Sequence, residues 1–139
     1  MRKKPFKKTK KRAAKKPPLP RWKAIKMSKN EARIAKFLRA NGVSYKREHC
    51  FPDMTAGGKP VKLYFDFYLS QYNLCIEFDG LHHYQELYPN NPLYKVKAND
   101  RIKNNYCKRK NIHLLRIPYF ESQNIEKLIC EAIDFICPV

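Results

Sequence analysis

Two apolar runs with strand-like alternation, separated by only four residues, constrain this chain more than any other feature of its sequence. The runs span residues 61–69 and 74–80. In both runs apolar side chains recur at every second position, the period at which the side chains of a β-strand return to one face. The four residues between the runs suit a turn. The sequence therefore predicts an antiparallel hairpin, and with it a fold that contains a sheet.

Three acidic residues, Asp66, Glu77 and Asp79, lie inside this hairpin. A turn over residues 70–73 sets a register in which Asp66 lies opposite Glu77, and Asp79 shares the face of Glu77. The Cβ atoms of directly opposed residues are about 4.5–5.5 Å apart, where like charges repel. Carboxylates so placed must share protons, pair with cations or bind a metal ion. We interpret the three acids as a divalent-metal site.

The remaining pattern places the hairpin in an α/β sandwich, a mixed sheet flanked by helices. The predicted order is helix, three strands, helix, strand and helix. Ser28 and Glu31 match the capping box that opens a helix, and Gly42 suits the position just past its end. The other predicted elements are a strand over residues 45–51, a loop over 52–58, the hairpin, a helix over 91–110, a strand over 112–117 and a helix from Ser122.

Positive charge is concentrated at the N-terminus. The chain has 30 Lys and Arg residues against 12 Asp and Glu, a formal net charge of +18, and residues 1–27 hold 13 of the basic residues and none of the acidic ones. We therefore divide the chain into a basic flexible arm, residues 1–27, and a domain, residues 28–139. Such an arm predicts a polyanionic partner, most simply nucleic acid, although a solubilising tail or a nuclear-import signal is an alternative. Its candidate phosphate contacts are Lys7, Lys8, Lys10, Lys11 and Arg12.

Several classes of protein are disfavoured. Five dispersed cysteines without a Cys-x-x-Cys pair argue against a disulfide framework and a zinc ribbon. No apolar run approaches the roughly 18 residues of a membrane span, and the N-terminus lacks the apolar core of a signal peptide. We expect an intracellular protein without a membrane partner, in the cytoplasm of a bacterial or virus-infected cell, with the nucleus as the alternative.

The order of elements and the phrase Asp66 … Cys-Ile-Glu77-Phe-Asp79-Gly … His83 resemble the PD-(D/E)XK nuclease superfamily. The likeness is greatest to its branch of very-short-patch repair endonucleases and phage homing endonucleases. It covers about residues 28–120 and implies a restriction-endonuclease-like αβββαβ(α) core. It also implies Mg²⁺, for which Mn²⁺ is expected to substitute, held by Asp66 together with Glu77 or the carbonyl of Phe78.

The same resemblance assigns three further roles. Asp79 would position water or a second hydrated ion, and His83 would act as general base or acid. His82 is the alternative histidine, because a loop does not decide which ring points inward. Glu31 matches the catalytic glutamate of the early helix, although the capping box alone also accounts for it.

Two departures from the family pattern affect the assignment. The superfamily places a lysine two residues after the second acid, where this chain has Asp79; its loss fits the histidine-using branch and would also fit an inactive enzyme. The repair members bind a structural zinc through Cys and His near this segment. Here no cysteine follows His83 until Cys107, so no structural zinc is predicted. A homing-type or phage-like endonuclease is the better relative.

The sequence thus predicts a Mg²⁺-dependent DNA endonuclease that hydrolyses phosphodiester bonds, with RNA as the alternative substrate. The rival prediction is a catalytically inactive nucleic-acid-binding protein or ribonucleoprotein component with the same fold and basic tail. The sequence does not reveal the recognised site, whether one or both strands are cut, or the oligomeric state. Candidate backbone contacts within the domain are Lys103, Lys108 and Arg109, which solvated helix faces and local ion pairs would also explain. Arg116, on the last predicted strand, would either touch phosphate or neutralise the acidic site.

Overall fold

A four-stranded mixed sheet lies between two layers of helices in the computed structural model, which describes residues 27–87 and 89–138. In spatial order the strands are β1, β4, β5 and β6; the first three pair antiparallel, and β5 and β6 pair parallel. This confirms the predicted α/β class with a mixed sheet. The elements are α1 (Lys29–Ala40), β1 (Lys46–Cys50), β2 (Thr55–Ala56), β3 (Lys59–Pro60), β4 (Tyr64–Leu69), β5 (Leu74–Asp79), α2 (Leu93–Lys110), β6 (His113–Pro118) and α3 (Ile125–Ile136).

Helix α1 begins with the predicted capping box. The Ser28 hydroxyl accepts a hydrogen bond from the backbone N–H of Glu31, and the Glu31 carboxylate accepts one from the N–H of Ser28. Two N–H groups that the first turn would leave without partners are thereby satisfied. Gly42 follows the end of the helix with a φ of +67°, a left-handed conformation that favours glycine.

The hairpin has the predicted register. Leu69 pairs with Leu74, and Phe67 pairs with Ile76. The connection is a 3₁₀ turn over Ser70–Tyr72, followed by a left-handed residue at Asn73, a conformation that asparagine tolerates better than most residues. The turn and the apolar alternation therefore agree on one pairing.

Two apolar clusters lie on the two sides of the sheet. One contains Leu74 and Ile76 of β5 and packs against α1 and α3; the other contains Cys75 and packs against Tyr106 and Cys107 of α2. Because side chains alternate along a strand, the residues of β5 that share the face of Cys75 also point toward α2. Glu77 and Asp79 are both on this face, so the fold buries them between the sheet and α2.

Two predicted boundaries were wrong. The predicted loop over residues 52–58 contains β2, which pairs with β3 through the left-handed glycines Gly57 and Gly58. The last helix begins at Ile125 rather than Ser122, because residues Tyr119–Asn124 form 3₁₀ turns first. All five cysteines are free thiols. Among the described residues, no helix combines the length and apolarity that crossing a membrane requires.

Candidate functional site

The hairpin opens at Asp66, where side chains replace backbone groups as hydrogen-bond partners. The backbone N–H of Asp66 donates to Oε1 of Glu77 at 3.2 Å, and the N–H of Phe78 donates to Oδ2 of Asp66 at 2.7 Å. Each carboxylate therefore binds the main chain of the opposite strand. The structure brings the two predicted acids together, as their register required.

Five carboxylates line one pocket at this opening. The cavity measures about 290 Å³, and its acidic lining consists of Asp66 and Glu77 from the hairpin, Glu31 from α1, Glu48 from β1 and Asp100 from α2. The Glu31 side chain caps α1 and also lines the pocket, so its structural role as a cap does not exclude the predicted catalytic role. Phe78, His82 and His83 line the same cavity.

Burial makes it costly to ionise this group of acids. Burial raises the pKa of Asp66 to about 8, the Glu77 carboxylate adds to the rise, and the N–H of Phe78 opposes it. Burial also raises the pKa of Glu77, against the opposing charge of Lys103. At neutral pH the acids therefore retain a proton that a bound cation would displace.

Glu48 is a pocket residue that the sequence analysis missed. It is a non-glycine residue with a φ of +47°, a conformation that costs about 1–3 kcal/mol and is commonest at functional sites. Its neighbours Arg47 and His49 pair with Phe67 and Phe65, so Glu48 lies across from Asp66. Burial raises the pKa of Glu48, with a further contribution from Glu31. No sequence signal set the register of β1, so this proximity could not have been predicted.

Lys103 lies in the pocket rather than on the exposed face of α2 where we had predicted a DNA-backbone contact. Its Nζ is 3.0 Å from Oε1 of Glu77, and only 12% of its side chain is exposed. The family pattern places a lysine at the position of Asp79; here α2 brings an ammonium group to the second acid from a different element. Across the pocket, Nη2 of Arg47 lies 3.2 Å from Oε2 of Glu31.

Asp79 belongs to a second network beside the pocket. Its Oδ1 accepts a hydrogen bond from Nη1 of Arg116 at 3.0 Å and lies 3.6 Å from Nδ1 of His83. Asp100 of α2 completes the network, with Oδ2 2.8 Å from Nδ1 of His83 and Oδ1 3.3 Å from Nη1 of Arg116. Of the two roles considered for Arg116, neutralising the acids or touching phosphate, this placement supports the first.

The charges of this network orient His83. Burial raises the pKa of Asp79, against the nearby charges of Arg116 and His83. Burial alone would also raise the pKa of Asp100, but the hydrogen bond to His83 and the charge of Arg116 outweigh it and lower that pKa. Asp79, His83 and Asp100 could offer a metal three ligand atoms within 4.8 Å of one another. The guanidinium of Arg116 already supplies positive charge there, so we interpret the group as a support for the imidazole.

Asp100, one helical turn before Lys103, is another site residue to which the sequence analysis assigned no role in the site. Val96, Asp100, Lys103 and Cys107 recur at spacings of four, three and four residues, which places them on one face of a helix. Val96 and Cys107 are buried. Because Asp100 and Lys103 share this buried face, their spacing predicts that both side chains point toward the sheet.

The remaining predicted contacts are dispersed. His82 lines the pocket with His83, and burial lowers the pKa of His82. Lys108 and Arg109 are exposed at the end of α2. The arm contacts predicted at Lys7, Lys8, Lys10, Lys11 and Arg12 lie outside the described residues.

Comparisons of the chain with protein-family models and with curated proteins found no match.

Proposed function

We propose that this protein is a divalent-metal-dependent DNA endonuclease with a restriction-endonuclease-like core. The observation that carries the proposal is the convergence of Asp66 and Glu77 where β4 and β5 separate, in a pocket that three further carboxylates line. A fold gains no stability from burying carboxylates beside one another, since each raises the cost of ionising the next. Retaining such a group is explained if it binds a cation.

The donor set fits Mg²⁺, which prefers carboxylate and carbonyl oxygens and keeps several waters. The hydrogen bonds to Asp66 and Glu77 involve Oδ2 and Oε1. Oδ1 of Asp66 and Oε2 of Glu77 are therefore the oxygens that would bind the ion. Asp66 and Glu77 would hold the ion, with Glu31, Glu48 and the Phe78 carbonyl as further candidate donors.

The residues around the pocket suit phosphodiester hydrolysis. A bound Mg²⁺ would lower the pKa of a coordinated water and offset charge on the attacked phosphate. His83, oriented through Nδ1 by Asp100, would exchange a proton through its other ring nitrogen as general base or acid. The ammonium of Lys103 would offset negative charge on the phosphate. Asp79 would act through Arg116 and His83 rather than on the substrate.

Two surface features favour a nucleic acid as the substrate. Tyr84, one residue after His83, forms an exposed cluster with Tyr119 and Phe120, with ring centroids 5.5–5.9 Å apart. Exposed aromatic rings provide faces on which bases stack. The formal charge of +18 favours a polyanion. DNA is preferred over RNA through the family resemblance alone.

The rival function, a catalytically inactive nucleic-acid-binding protein, is favoured by the ion pairs within the site. Lys103 already pairs with Glu77, and Arg116 pairs with Asp79 and Asp100. Side-chain cations that neutralise the acids permanently would leave a folded domain with no need for a metal. Cleavage assays separate the two functions, because only the nuclease requires Mg²⁺.

Substitution of Asp66 tests the proposal. Wild-type protein should cut plasmid DNA in Mg²⁺ and fail to cut it in EDTA, and Asp66→Ala should lower the cleavage rate by roughly 10²–10³-fold or more, the scale of losing a group that acts in the transition state. Binding of DNA should be largely retained. Asp134→Ala, which removes an exposed carboxylate from α3, is the matched control and should cut normally.

Three results would contradict the nuclease: no cleavage by the wild type, cleavage unaffected by EDTA, or normal cleavage by folded Asp66→Ala. If the wild type binds DNA and never cuts it in Mg²⁺ or Mn²⁺, the inactive binding protein is the better description. A titration with Mn²⁺ followed by electron paramagnetic resonance would report metal binding independently of cleavage.

A further inference from the structure

Helix α2 has an outward face that is basic and amide-rich along its whole length. The helix contains seven basic residues and one acidic residue, Asp100, whose side chain is directed inward to His83 and Arg116. Lys97, Arg101 and Lys108 are exposed, and their spacings of four and seven residues place them on one side of a helix. Asn104 and Asn105, also exposed, lie between Arg101 and Lys108.

This outward face and the candidate catalytic pocket share the same turns of α2. Asn99, Asp100 and Lys103 line the pocket, and Lys97 and Lys108 lie before and after them in the helix. At 1.5 Å per residue, Lys97 and Lys108 are roughly 16 Å apart along the helix axis. That distance corresponds to about five base pairs at 3.4 Å each, so a duplex lying along the helix could contact both residues.

Helix α3 differs from α2 in charge. It packs on the other face of the sheet and carries Glu126, Glu131 and Asp134 against a single lysine, Lys127. A polyanion would therefore be attracted to α2 more than to α3. Helix α1, on the same face as α3, is basic, so the preference concerns the two helices and not the two sides of the molecule.

We propose that α2 is a groove-reading helix, with its outward face in the major groove of duplex DNA. The major groove admits an α-helix, and arginine and asparagine pair with the edges of guanine and adenine there. Asn104 accepts a hydrogen bond from Nε of Arg116 at 2.8 Å, so Arg101 and Asn105 are the residues assigned to base edges. Lys97 and Lys108 are assigned to the flanking phosphates. This inference rests on the proposed function and adds that the DNA is a duplex and that α2 is the element that recognises its sequence.

The first test measures binding of full-length protein to a duplex in EDTA at several salt concentrations. Lys97→Ala and Lys108→Ala should each weaken binding several-fold and reduce the slope of log affinity against log salt by about 1, the amount expected for one lost phosphate contact. Lys127→Ala on α3 is the matched control, an exposed lysine on the opposite side, and should bind as the wild type does. A single strand of the same sequence should bind less tightly than the duplex.

The second test measures sequence preference by selecting duplexes from a pool with randomised positions. Asn105→Ala and Arg101→Ala should each relax the preference at one position by roughly 5- to 150-fold, the value of a good base contact. The variants at Lys97 and Lys108 should weaken binding to all sequences alike. Circular dichroism would establish that each variant is folded.

The inference is overturned if the Lys97 and Lys108 variants bind like Lys127→Ala, if the single strand binds as tightly as the duplex, or if neither Arg101→Ala nor Asn105→Ala alters the selected sequences. These assays contain no Mg²⁺, so their outcome is separate from that of cleavage. Loss of binding in the α2 variants of a protein that never cuts DNA would keep the groove-reading helix and reject the nuclease. If the protein cuts DNA and these variants bind normally, the nuclease is kept and the groove-reading helix is rejected.

Discussion

At the scale of single residues, Asp66 shows how a local preference is overridden. Aspartate is disfavoured in strands, and Asp66 lies between Phe65 and Phe67, which are both fully buried. A hydrogen bond from the backbone N–H of Phe78 in β5 holds its carboxylate in place, and burial raises its pKa to about 8 from an ordinary value of 3.8. The folded protein therefore binds a proton that the unfolded chain releases between these two values.

This difference predicts how stability depends on pH. Because the folded-state pKa of Asp66 is raised, its contribution to stability is fully present below about pH 4 and is lost as the pH rises toward 8. Asp66→Asn, which cannot ionise, should be more stable than the wild type in EDTA at pH 7, by about 1–2 kcal/mol. Denaturant titrations between pH 4 and 8 would measure the difference, which should shrink at acid pH.

Asp134→Asn is the control for that comparison, since its carboxylate is exposed on α3, and it should follow the wild-type curve. Added Mg²⁺ should stabilise the wild type and leave Asp66→Asn unchanged, because a ligand that binds only the folded state raises its stability. An Asp66→Asn protein that is less stable than the wild type at every pH would show that the carboxylate is not strained.

Site residues were predictable where local structure fixes their relative positions, and unpredictable where long-range packing does. Asp66 and Glu77 were predictable as neighbours because a short turn relates the two strands. Glu48 and Lys103 reach the same pocket from β1 and α2 through pairing and packing between distant parts of the chain. Spacing along α2 can direct Lys103 toward the sheet, but it does not indicate which residue of the sheet Lys103 will contact.

At the scale of elements, α1 combines a structural and a functional role in Glu31. The capping box needs an acceptor at this position, which glutamine supplies as well as glutamate. Glu31→Gln should therefore retain the stability of α1 while lowering the rate of Mg²⁺-dependent cleavage, roughly tenfold or more. Ser28→Ala should do the opposite, costing about 1 kcal/mol of stability with cleavage near the wild-type rate. Thermal unfolding and plasmid cleavage on the same preparations would separate the two effects.

If Glu31→Gln and the wild type cleave DNA at the same rate, Glu31 acts only as a helix cap. Ser70→Ala provides a stability control, because Ser70 is exposed in the turn between β4 and β5 and its backbone carbonyl, rather than its hydroxyl, accepts the hydrogen bond from Asn73. This variant should melt with the wild type.

The elements themselves were largely predictable, with errors where local signals were weak. The three helices and the four strands of the main sheet follow from periodicity and from caps at Ser28 and Gly42. The ribbon of β2 and β3 was missed because two-residue strands are too short to alternate. Helix α3 was started early because the 3₁₀ turns at Tyr119–Asn124 share the composition of a helix start.

At the scale of the whole molecule, positive charge is concentrated in residues 1–27, which hold 13 of the 30 basic residues and no acidic residue. Replacing Lys7, Lys8, Lys10, Lys11 and Arg12 together by alanine should weaken binding to every DNA sequence and reduce the salt slope by up to about 4–5, since each phosphate contact contributes about 0.9. Cleavage positions should not change, because backbone contacts carry no sequence information. Binding curves at several salt concentrations and mapping of the cut sites would measure both.

An unchanged salt slope in that variant would show that the arm does not contact DNA and would favour a solubilising or import role. Lys127→Ala again serves as the control for loss of a lysine without loss of a contact.

The sequence by itself determined the α/β class, the order of the main elements, the register of the hairpin and the opposition of Asp66 and Glu77. These depend on interactions between residues near one another in the chain, such as alternation, caps and a short turn. Only the tertiary structure decided that Glu48 and Lys103 share the pocket and that Arg116 holds Asp79 beside His83. Those contacts join residues far apart in sequence. They form because packing the helices on the sheet brings these residues together, and a buried charge without a partner would be costly.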